Sequence, residues 1–99
     1  MDDTTASLFD GATARGESAL VALVSRLRER GLSQVDVYLH FEAYRSARGA
    51  VLSEQDDDVL LEIMDRIVGH CSESSRLFDE HLSNEAIDAG RQISARLFD

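Results

Sequence analysis

Ninety-nine residues are enough for one domain with a single modest core. Apolar residues make up 43% and charged residues 29%, and a net charge of −9 means the chain should repel nucleic acid and anionic membrane and favour basic partners. No apolar run approaches the ~18 residues of a membrane span, and the single cysteine, Cys71, excludes an intrachain disulfide framework.

The N-terminal stretch MDDTTASLFDGATARGE is acidic and polar. It reads as neither a signal peptide nor an Arg-rich transit peptide, so the cytoplasm is the expected compartment. Residues 1–14 show no periodicity and are expected to be flexible, ahead of a single helical domain over 15–99. From Glu17 to Arg30, Leu20, Leu23, Val24 and Leu27 recur at helical spacing. Gly31 then supplies a stop, and Arg26, Arg28 and Arg30 complement the helix dipole.

The stretch LSQVDVYLHFEAYRSARG carries two patterns. Val35, Val37, Leu39 and Phe41 alternate with polar residues or Tyr38, as in a strand. Ser33 followed by Asp36 resembles a capping box, and Val37, Phe41 and Tyr44 share one helical face. A helix is favoured, because no other segment offers a strand to pair with. A strand over 35–43 is the alternative, viable only if two chains pair through it.

Residues 53–70 give the clearest helix. Val59, Leu60, Ile63, Met64, Ile67, Val68 and Cys71 fill a broad apolar arc with Leu61 at its edge, and Glu54, Asp58, Glu62 and Asp65 lie opposite. A short helix is expected over 75–82. A last one is expected from Asn84 to about Leu97, capped by Ser83, and Gly90 inside it marks the close approach of another helix. The triplet Leu-Phe-Asp occurs at 8–10, 77–79 and 97–99. Two core residues and a solvated acid explain it, while the terminal copies are the better candidates for docking peptides.

Chemistry is thinly represented. His70 and Cys71 are neighbours, about 100° apart on a helix, and cannot act as a nucleophile–base pair. No CxxC, HExxH or phosphate-cradling glycine motif is present. The cluster Glu54, Asp56, Asp57, Asp58 lacks the alternating oxygen ligands and sixth-position Gly of a calcium loop. With Ser53 as N-cap, it is explained by the positive end of the helix dipole. No catalytic residue, metal or cofactor is expected, and the chain is read as a non-enzyme.

Capping leaves one feature over. Residues 53–88 hold eleven acids and two Arg, a net of −9, whereas 1–52 carry −1 and 89–99 carry +1. The whole imbalance lies in one third of the chain. Either this is a solvated face that happens to be acidic, or it is built for a basic partner. Glu54, Asp58, Glu62, Asp65, Asp79 and Glu80 are the candidate partner-binding residues.

The fold expected is all-α, four to five short helices around one core. That core would hold Leu23, Val24, Leu27, Phe41, Leu60, Ile63, Met64, Ile67, Val68, Ile87, Ile93 and Leu97. The functional expectation is a small acidic interaction or inhibitor module docking a basic protein through 54–88: a nuclease, a toxin or a nucleic-acid-binding protein whose phosphates the carboxylates imitate. The compositional style is similar to that of bacterial immunity proteins and phage-encoded inhibitors, with no motif tying the chain to either. The alternative is a homodimeric structural or regulatory domain. The wide apolar arc of 53–70, with Val37 and Tyr38 turned outward, would supply its interface.

Overall fold

The computed structural model describes residues 3–69, 77–78 and 83–98. Five helices run in chain order: α1 (Asp3–Arg15), α2 (Glu17–Glu29), α3 (Gln34–Arg48), α4 (Glu54–Val68) and α5 (Asn84–Phe98). No strand occurs among the described residues, so the architecture is all-α. The helical reading of 33–48 therefore holds, and the strand over 35–43 is not formed.

Serines set the helix starts. The Ser33, Ser53 and Ser83 hydroxyls accept hydrogen bonds from the backbone N–H of Asp36 (3.3 Å), Asp56 (3.1 Å) and Ala86 (3.1 Å). Each satisfies one donor that the first turn leaves open. Helix α2 ends in a Schellman arrangement. Gly31 N–H donates to the Arg28 carbonyl (2.9 Å) and Leu32 N–H to the Leu27 carbonyl (3.2 Å), with Gly31 at φ 91°. A side chain at that φ would be strained, so Gly is the residue that fits. At the end of α4 the Gln34 side-chain amide donates to the Ile67 carbonyl (2.8 Å), tying the start of α3 to the last turn of α4.

Helix α4 is the centre of the fold and packs against α1, α2 and α3. Leu60, Ile63 and Ile67 are fully buried, with Met64 and Val68 nearly so. This accounts for the breadth of its apolar arc: three neighbours within one chain cover it, and no second chain is required for that purpose. Of the residues expected in the core, Leu23, Val24, Leu27, Phe41 and Ile87 are also buried. The side chains of Ile93 and Leu97 lie outside what is described.

Two expectations are corrected. Within the segment expected to be flexible, the described residues from Asp3 onward are helical, in α1 (Asp3–Arg15), and Phe9 is completely buried. Phe9 meets Phe41 edge-on (centroids 4.8 Å apart) and stacks on Tyr44 (4.9 Å), geometries that add to area burial. The first Leu-Phe-Asp copy follows the favoured reading of two core residues and a solvated acid: Phe9 is buried, Leu8 packs against the core and Asp10 is exposed. Val37, expected to turn outward, is fully buried, while Tyr38 is half-buried.

The second triplet copy is described only at Leu77 and Phe78, which lie in a bend packed against the core. Arg28 donates to the Leu77 carbonyl (3.0 Å), and its guanidinium carbon lies 4.5 Å from the Phe78 ring centroid. The rest of the short helix expected over 75–82 lies outside the described residues, as does Cys71.

Helix α5 packs on α3. A Cβ at Gly90 would fall 2.7 Å from Val35 Cγ2 and 3.2 Å from Leu39 Cδ1. That is the close approach the sequence suggested, and it names α3 as the partner.

Candidate functional site

The candidate site is the outward stripe of α4. The helix packs its apolar side on three neighbours, so Glu54, Asp58, Glu62 and Asp65, spaced i, i+4, i+8 and i+11, are left facing solvent. All four are exposed, as is Leu61 among them at 38%. Like charges one turn apart cost roughly 0.2–0.5 kcal/mol per pair, so the stripe is mildly unfavourable to the helix that carries it. Asp79 and Glu80, the other two candidate residues, lie outside the described residues.

Five other acids of the chain are paired, while Glu29, Asp36, Asp56 and Glu85 share the stripe's lack of an ion pair among the described residues. Arg45 binds Asp57 through two hydrogen bonds (2.6 and 3.1 Å), joining α3 to α4. Arg48 reaches Asp10 (3.1 Å), joining α3 to α1, and Arg66 reaches Glu17 (2.9 Å), joining α4 to α2. Arg91 bridges Glu42 on α3 and Asp88 on its own helix. These acids fasten helices together. Glu54, Asp58, Glu62 and Asp65 make no ion pair among the described residues.

The paired groups show it in their protonation. The Arg45 hydrogen bond holds the Asp57 carboxyl below the usual carboxylate range. Partial burial pushes the Tyr38 phenol up, and the charges of Glu42 and Asp65 add to the effect.

No catalytic arrangement emerges from the described residues. His40 donates through Nδ1 to the Asp36 carbonyl (2.7 Å), a local contact within α3. Among the described residues no group of three or more His, Cys, Asp and Glu side chains is placed to hold a metal. No helix there is long and apolar enough to cross a membrane. The four stripe residues follow from their spacing alone. The Arg45, Arg91 and Glu42 links do not, because their partners come from other helices.

No protein-family model, curated protein or solved structure matches this chain.

Proposed function

We propose that this chain is a small acidic interaction module of the inhibitor type, which docks a basic protein through the α4 stripe. Glu54, Asp58, Glu62 and Asp65 make the contact, and Asp79 and Glu80 belong to the same acidic segment of the sequence. The observation behind this reading is clustering: the stripe gathers four exposed, unpaired carboxylates on one side of a single helix, whereas Glu29, Asp36 and Glu85, also without an ion pair among the described residues, lie on three different helices. Arginines take up acids on every other helix, yet four carboxylates on one side of α4 have no cation among the described residues. A surface that keeps like charges together at a cost to its own helix favours a cationic partner, by speeding encounter and fixing register. Nucleases, toxins and nucleic-acid-binding proteins carry surfaces of that charge, and in this reading the module itself catalyses nothing.

The test compares the wild-type chain with Asp58→Arg/Glu62→Arg/Asp65→Arg, both immobilised and exposed to cell extract at low salt. The wild type captures basic proteins that the variant does not, and raised salt releases them. Equal capture by the two, with circular dichroism confirming that the variant is folded, would overturn the reading. The homodimer alternative rests on the breadth of the α4 apolar arc. That arc is covered by α1, α2 and α3, so it does not favour a second copy at that face.

A further inference from the structure

Helices α1 to α4 make one body. Phe9 of α1, Leu20 of α2, Phe41 of α3 and Ile63 of α4 belong to a single buried cluster to which all four helices contribute. Helix α5 joins differently. Its main neighbour is α3. Among the described residues it adds none to that cluster, and its buried Ile87 lies outside it.

The seat of α5 is small. Gly90 sits so close to Val35 and Leu39 of α3 that a Cβ would collide with them, and both of these side chains are half-buried. Next along the seat, Arg91 donates to both carboxylate oxygens of Glu42, in a pair partly open to solvent. The chain ahead of α5 has its own hold on the body. Leu77 N–H donates to the Arg66 carbonyl of α4 (3.0 Å), and Arg28 of α2 holds the Leu77 carbonyl and lies over the Phe78 ring. Leu77 and Phe78 are therefore fastened to α2 and α4 without help from α5.

We propose that α5 is a detachable strap, which opens as a unit while α1 to α4 stay folded. Opening bares Val35 and Leu39 and releases Glu42 from Arg91. The body keeps its buried cluster when α5 leaves. What is given up is a narrow apolar contact and an ion pair that solvent already screens. Once released, a helix of 15 residues is marginal in water, so α5 loses its amide protection as a block. Opening also changes the charge of the surface. Glu42 lines the same depression between α3 and α4 as Glu54, so withdrawal of Arg91 raises the negative charge beside the α4 stripe. The strap does not depend on the function proposed above and holds whether or not the stripe takes a cation.

Native-state hydrogen exchange of the full chain, followed by nuclear magnetic resonance at low denaturant concentrations, tests this. The amides of α5 are expected to share one opening free energy and to exchange roughly tenfold or more faster than the slowest amides of α2 and α4. Their exchange should also depend less on denaturant, because less surface is uncovered. Tyr44→Phe weakens the body outside the seat, so it should speed the slowest amides of α2 and α4 about fivefold and leave α5 unchanged. Gly90→Ala crowds the seat and should speed α5 exchange. An α5 that exchanges with the free energy and denaturant slope of α4, and accelerates with it in Tyr44→Phe, overturns the proposal, since the molecule then opens all at once. So do α5 amides that exchange one by one with no shared value, or that show no protection at all.

Discussion

Tyr44 shows how one side chain joins two helices. Its ring stacks on Phe9, and its hydroxyl donates to Asp10 Oδ1 at 2.6 Å, so it holds α1 against α3. Burial first, and then the Asp10 hydrogen bond, push the phenol above its ordinary value. A raised value means the contribution to stability is complete below the unfolded tyrosine value near 10 and is lost as pH climbs through the folded one. Tyr44→Phe should cost about 1 kcal/mol at neutral pH, and thermal melts above pH ~10 should show a shallower alkaline loss than the wild type. Asp57 works in the opposite direction. Its carboxyl is held low by Arg45, so its contribution is present above the unfolded aspartate value near 4 and disappears as pH falls through the folded one. Asp57→Asn should lower the melting temperature at pH ~7 and converge with the wild type at pH ~2. A gap that persists unchanged into acid would show that the Arg45 pair is not its source.

At the scale of elements, two glycines inside helices give opposite expectations. Gly11 in α1 has nothing within 4 Å of the place a methyl group would take, so Gly11→Ala should stabilise the chain by about 1 kcal/mol through helix propensity. Gly90 in α5 has Val35 and Leu39 inside that space. Overpacking costs about 1–3 kcal/mol against the ~1 kcal/mol that Ala gains in helix propensity. Gly90→Ala should therefore lower stability in denaturant titrations, and Val35→Ala in the same chain should restore it. Helices α2 to α5 were legible because each carries a local signal: serine caps at 33, 53 and 83, the Gly31 stop, and apolar residues at helical spacing. Helix α1 was not, because its apolar content is thin and Gly11 and Thr13 interrupt it. Its order comes from Phe9 meeting Phe41 and Tyr44, residues more than thirty positions away. Val37 misled for a similar reason: alternating residues suit either face of a strand, and only the packing of α3 on its neighbours decides which are covered.

Across the whole molecule, charge is sorted by role. Acids at 10, 17, 42, 57 and 88 are held by arginines that mostly link separate helices, contacts that water and salt screen at such exposure. The candidate stripe was legible because i, i+4 spacing is a property of one helix. Which acids would be neutralised was not, because that depends on tertiary neighbours. The proposed function stands on one point, that cations bind the unneutralised stripe on α4. Its most direct test is a nuclear magnetic resonance titration of the ¹⁵N-labelled chain with an arginine-rich helical peptide at low salt. Amide shifts should concentrate at Glu54, Asp58, Leu61, Glu62 and Asp65 and fade as salt is raised. Shifts spread evenly over Asp10, Glu17, Asp36, Glu85 and the stripe alike would contradict it, since the negative charge would then act as a diffuse solvating coat with no preferred face.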